Sequence, residues 1–131
     1  MSADEILKNY SKALGKLDLF IDEPIKTERD AAGVIQAFEY TFEQFWKTCQ
    51  KIAALEKIEA RSPKQSLEAA LTLDLIDTAD EDTWLQMLED RNMTSHTYNE
   101  TVAQKTVTRI AGQYRLLFHK ALLAMEKRLS D

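Results

Sequence analysis

Marked helix starts constrain this chain more than any other feature. A serine or threonine is followed three residues later by an acid at Ser2…Glu5, Thr27…Asp30, Thr78…Glu81 and Thr97…Glu100. Each pair stands where an apolar stripe is about to begin. The spacing is that of a capping box, in which a hydroxyl and a carboxylate satisfy two orphan amide donors reciprocally. Admitting glutamine adds Ser62…Gln65, with Pro63 at the first helical position, where its missing N–H is no loss. It also adds false hits inside helices, such as Thr41…Gln44. No stretch alternates apolar and polar residues with period two, and no glycine-containing hairpin turn occurs. With only 3 Gly and 2 Pro in 131 residues, the chain has few places to turn and long helices follow. The expectation is an all-α fold: an antiparallel four/five-helix up-and-down bundle forming a single domain over residues 1–131, large enough to bury a core without disulfides.

Five helices are expected. The first runs from about Ala3 to Phe20, with Ile6, Leu7, Tyr10, Leu14, Leu17 and Phe20 on one side; Pro24 disfavours helix before it. The second runs from about Glu28 to Ile58. Its Val34, Phe38, Thr41/Phe42, Phe45, Cys49, Ile52 and Leu55 recur three and four apart, the seam of a packed helix. At 1.5 Å per residue it is roughly 45 Å long and sets the height of the bundle. The third spans Pro63 to about Leu73. The fourth, from Ala79 to about Met93, is expected to bury Trp84, Leu85 and Leu88. The fifth, from Tyr98 to about Leu129, carries two adjacent stripes: Val107, Ile110, Tyr114, Leu117, Ala121 and Ala124, then Phe118, Leu122, Met125 and Leu129. A face that wide packs on more than one neighbour, within the chain or across a dimer.

Several function classes drop away. Cys49 has no partner for an internal disulfide and sits at core spacing, as a buried structural thiol does. No CxxC or Cys/His cluster offers a zinc site. No apolar run approaches the ~20 residues of a membrane span, and the N-terminus lacks a signal peptide's basic start, so a cytoplasmic protein is expected. A net charge of −5 argues against broad, non-specific duplex binding, which rests on neutralising many phosphates. The acids Asp77, Asp80, Glu81 and Asp82 read as a solvated helix start favoured by the dipole. His119 reads as a surface residue.

One segment holds more chemistry than the rest, Asp90 to Tyr98. In a continuous helix the five-residue step from Arg91 to His96 rotates ~140° and points the two side chains apart. A break at Thr97…Glu100 lets them converge. Arg91 is a permanent bidentate donor suited to phosphate, and His96 can trade a proton near neutral pH. A helix N-terminus beside His96 would favour its neutral, basic form. These are parts for phosphoryl chemistry without a metal: a base for a ribose 2′-hydroxyl, a cation for the pentavalent oxyanion, and Asn92 to orient. The bland alternative is a polar junction, with His96 exposed and Arg91 paired to Glu89 or Asp90.

The segments Arg29 to Thr48, Ser62-Pro63-Lys64 and Trp84 to Tyr98 resemble, in that order, the small nucleotidyltransferase substrate-binding proteins of the HEPN superfamily. The resemblance covers roughly Arg29 to the C-terminus. It implies a homodimeric helical bundle without a cofactor, partnered by a minimal nucleotidyltransferase. One reading of the family is a non-catalytic substrate-binding subunit of that transferase. The other is a metal-independent ribonuclease toxin acting on RNA, with an Arg-x4-His-x-Tyr motif at the dimer interface and the transferase as antitoxin. Carried onto this chain, Arg91 would stabilise the phosphorane, His96 would be the acid/base, Asn92 would assist, and Tyr98 would accept the nucleotidyl group. Glu39 and Glu43, one turn apart on the second helix, are two acids that could face that site, and a solvent-exposed face explains them as well.

Overall fold

The three clearest helix starts are built as the sequence reads them. Ser2 Oγ accepts from the Glu5 amide at 3.2 Å. Thr27 and Asp30 form a complete capping box, the hydroxyl on the Asp30 amide and the carboxylate on the Thr27 amide. Ser62 Oγ accepts from the Gln65 amide, with Pro63 opening the helix. The helices that follow are α1 (Ala3–Asp22), α2 (Glu28–Leu55) and α3 (Pro63–Thr72). Beyond them lie α4 (Glu81–Thr94), then α5 (Glu100–Arg109), a π turn (Ile110–Tyr114) and α6 (Arg115–Ser130), the last three following one another without a break. This computed structural model describes residues 1–94 and 99–130, and no strand occurs among them. The fold is an all-α bundle.

Helix α2 is central and touches α1, α3, α4 and α5. Its pairing with α1 is antiparallel: Thr41 Oγ1 donates to the Ala13 carbonyl and Thr48 Oγ1 to the Ile6 carbonyl, so one number rises as the other falls. The core is aromatic. Phe38, Phe42 and Phe45 of α2 meet Tyr10 of α1, Trp84 of α4, and Tyr114 and Phe118 of the last helix. Trp84 stacks on Phe45 at 4.4 Å between centroids. The Tyr10 hydroxyl, wholly buried, donates to the Phe118 carbonyl at 2.6 Å, which satisfies the polar end that burial would otherwise penalise. Cys49 is buried as expected, and burial pushes its thiol well above the usual value, away from reactivity.

Several expected boundaries and faces differ. Helix α2 stops at Leu55 rather than Ile58, because Lys57 adopts a left-handed φ of 61°. The amide of Ile58 then bonds the Ala53 carbonyl and that of Lys57 the Ala54 carbonyl, a Schellman closure. Leu55 is accordingly 60% exposed. Asp74, at φ 57°, closes α3 in the same way. Helix α4 is entered through a 3-10 turn, Thr78–Asp80, capped by Asp77 and not by Thr78. Its buried side chains include Trp84, Met87 and Asp90, while Leu85 is 40% exposed. Phe20 is also partly exposed, lying against Gly33.

The last helix draws its core line from both stripes. Val107, Ile110, Tyr114 and Ala121 of the first are buried together with Phe118 and Met125 of the second. Leu117, Leu122 and Leu129 pack partly buried beside them. At the π turn the Arg115 amide bonds the Ile110 carbonyl five residues back. The wide apolar face is therefore largely taken up by the chain's own core.

Candidate functional site

The last turn of α4 carries Asp90, Arg91 and Asn92 in succession, and consecutive helical positions point in different directions. Arg91 reaches toward α2. Its Nη2 donates to Glu43 Oε2 at 3.0 Å and its Nη1 to Asn92 Oδ1 at 3.2 Å. Glu43 also accepts from Trp46 Nε1 at 2.9 Å on the same oxygen and pairs with Lys47 through the other. Burial alone would raise the Glu43 carboxyl. The indole N–H, Lys47 and Arg91 together outweigh burial and hold it below its usual value. Glu43 thus fixes the tip of Arg91, with both side chains about a third exposed. Such an arginine is oriented yet within reach of a ligand.

Asp90 turns the other way, inward, and is only 5% exposed. Its carboxylate accepts from Arg109 Nε at 2.7 Å and Nη2 at 2.8 Å, from the Tyr114 hydroxyl at 2.5 Å and from Gln86 Nε2 at 3.1 Å. These are short, charge-assisted bonds, one pair of them bidentate, as a buried carboxylate requires. Burial, and then the hydrogen bond to Asp90, push the Tyr114 phenol well above its usual value. The bond to Asp90 likewise raises the Arg109 guanidinium. The junction reading, with Arg91 paired to Glu89 or Asp90, is therefore corrected: Arg91 belongs to Glu43, and Asp90 to Arg109 and Tyr114.

The structure joins Arg91, Asn92 and Glu43. His96 and Tyr98, with the Thr97 half of the expected capping box, lie outside the described residues. Helix α5 begins at Glu100 under a different cap: Asn99 Oδ1 accepts from the Thr101 and Val102 amides at 2.9 and 3.2 Å. Asparagine caps at least as well as threonine, so the last helix starts two residues later than expected.

Elsewhere charged residues pair across the surface of the bundle. Lys120 bridges Asp77 and Asp80. His119 pairs with Asp18 at 2.7 Å, and Arg115 with Asp18 and Asp22. Among the described residues no group of three His, Cys, Asp or Glu could hold a metal ion, and no helix is long and apolar enough to cross a membrane.

A family model described as nucleotidyltransferase substrate binding protein like matches residues 5–127. The chain belongs to that family. A crystal structure of a protein from Thermus thermophilus has the same fold, with a TM-score of 0.80 and 32% sequence identity over 88% of this chain and 98% of the other. No curated protein matches. This substrate-binding-like family accords with the HEPN resemblance carried by Trp84 to Tyr98. The residues that sequence reasoning missed are Arg109 and Tyr114. Five apart, they do not share a face of a regular helix, and only the π turn brings them to one acceptor.

Proposed function

We propose that this member of the family is a HEPN-type, metal-independent ribonuclease of a toxin–antitoxin pair, neutralised by a minimal nucleotidyltransferase. The observation that carries this reading is Arg91 itself, a phosphate-competent guanidinium held at its tip by Glu43 and Asn92 and kept partly exposed. His96 follows it by five residues. In the proposed reaction the His96 imidazole takes the proton of a ribose 2′-hydroxyl, and the 2′ oxygen attacks phosphorus. The P–O2′ bond forms, Arg91 neutralises the oxyanion, the P–O5′ bond breaks and the 5′ oxygen leaves with a proton from imidazolium. The products are a 2′,3′-cyclic phosphate and a 5′-hydroxyl. Two copies in a homodimer would bring two such motifs together. Control comes through Tyr98: its phenol oxygen, giving its proton to solvent, attacks the α-phosphorus of ATP on the partner transferase; the bond from that phosphorus to the bridging oxygen breaks, adenylate is joined to the tyrosine and pyrophosphate leaves.

Purified protein should cleave RNA in EDTA, and Arg91→Ala and His96→Ala should each abolish the cut. Equal cleavage by either variant would mean a contaminant and end the nuclease reading. The family's description supports a second reading, a non-catalytic substrate-binding subunit of a two-component nucleotidyltransferase. No cleavage by the wild type, together with partner-dependent nucleotidyl transfer to a small molecule, would select it. An adenylate-sized mass gain with the partner and ATP should be absent in Tyr98→Phe.

A further inference from the structure

We infer that Asp90, gripped by Arg109 and Tyr114 across the π turn, is a positioning residue for Arg91. That role presupposes the nuclease reading above.

Arg91 is held at two points. Glu43 of α2 holds the guanidinium. The base of the side chain is set by the adjoining residue, one peptide unit away, because a rotation of the turn at Asp90 carries the Arg91 Cα with it. Asp90 is tied to the last helix by the bidentate Arg109 pair and by the Tyr114 hydroxyl. On a regular α-helix a five-residue step turns ~140°, and Arg109 and Tyr114 could not both meet one carboxylate. The π turn between them, with its five-residue hydrogen bond from Arg115 to Ile110, removes that divergence. Turns of this kind are uncommon and concentrate at functional sites.

Stability alone does not account for the network. Met87 and Trp84, about one and two turns earlier, already bury α4 against the core. A buried ion pair is a weak source of stability compared with apolar packing, and its better-attested use is to specify one arrangement. Here the arrangement specified lies next to Arg91.

The test compares full-length Tyr114→Phe and Arg109→Gln with Ile52→Val, a core change remote in sequence from the network. RNA cleavage in EDTA should lose roughly tenfold or more in kcat for the first two, since a shift of about 1 Å costs up to about a hundredfold. KM should stay within about twofold by the same geometric argument. Arg109→Lys, which restores the charge without the fork, should recover part of the loss. Ile52→Val should leave kcat unchanged at a temperature where all variants are folded. An unchanged kcat in Tyr114→Phe and Arg109→Gln, or a fall shared by Ile52→Val, overturns the positioning role. Should the wild type cut no RNA, the nuclease reading fails by itself. The nitrogen NMR resonance of the Arg91 side chain, assigned by its loss in Arg91→Lys, then decides. It should move in Tyr114→Phe and hold still in Ile52→Val; no movement in Tyr114→Phe overturns the role.

Discussion

Arg91 and Arg109 each stand five residues ahead of a further polar side chain, His96 and Tyr114, and the two steps lie in different settings. Arg91 precedes His96 across the interval between α4 and α5; Arg109 precedes Tyr114 within one continuous helix. A straight helix would separate both pairs by ~140°. The second step is solved without breaking the helix, by a π turn that aims both side chains at Asp90. The first ends at His96, outside the described residues. One step yields a buried, saturated network; at the other, Arg91 rests its tip on Glu43 and stays about a third exposed.

That contrast can be broken at several points. The largest effect is expected for Arg91→Ala, which should lower RNA cleavage by roughly a hundred- to a thousandfold, the loss typical of a removed oxyanion donor. It should change unfolding free energy by less than about 1 kcal/mol, because its pair with Glu43 is partly solvated. Asp90→Ala should do the reverse in stability. Removing one partner of a buried pair costs about 3–5 kcal/mol, and the third of Arg109 left in solvent reduces this to about 2–3 kcal/mol in urea unfolding. A loss no larger than that of Arg91→Ala would erase the distinction between the two regions. Tyr114→Phe should cost about 1–2 kcal/mol, one hydrogen bond to a charged acceptor that keeps other donors.

The acid limb of stability gives a smaller effect. The Glu43 carboxyl is held below its unfolded value of about 4.5, so its contribution is present at neutral pH and is lost as pH falls from about 4.5 through the folded value. Exposure limits this to a fraction of about 1 kcal/mol, and Glu43→Gln should flatten the limb in acid unfolding curves. Smallest of all is deletion of Gly112. It should turn the π turn into regular helix, leaving arginine and tyrosine four apart and still on one face. A Cβ at Gly112 would meet nothing within 4 Å, so the position is not packed. The deletion should shift the melting temperature by only a few degrees; failure to fold would show that the extra residue serves more than alignment.

These regions also differ in how far they could be read from the residues. Caps at Ser2, Thr27 and Ser62 place three helices, because each hydroxyl acts within one turn of itself and local spacing is the whole signal. The end of α2 is less legible, because Lys57 takes left-handed backbone without the glycine that usually announces it; α3 ends where expected, although Asp74 does the same. The start of α5 was read two residues early because Asn99 caps without the hydroxyl-and-acid pattern. Arg91 and Asn92 stand out by residue type, whereas Glu43 is not separable from Glu39 or from an exposed acid until its contact with Arg91 is seen. The Arg109–Tyr114 grip was illegible, since it depends on a turn that breaks the very periodicity by which helix faces are recognised. Its partner Asp90 was read as a possible mate for Arg91, because adjacency in sequence hides that neighbouring helical residues face apart.

Trp46 and Arg91 share one carboxylate oxygen of Glu43. The indole is therefore a built-in optical gauge. A ligand that draws the guanidinium away from Glu43 changes the field along the indole N–H and should displace the emission of Trp46. Trp84, the other tryptophan, is clamped against Phe45 in the core and supplies a steady background. Occupancy of the site can thus be followed in unlabelled protein, as a change in the colour of its own fluorescence.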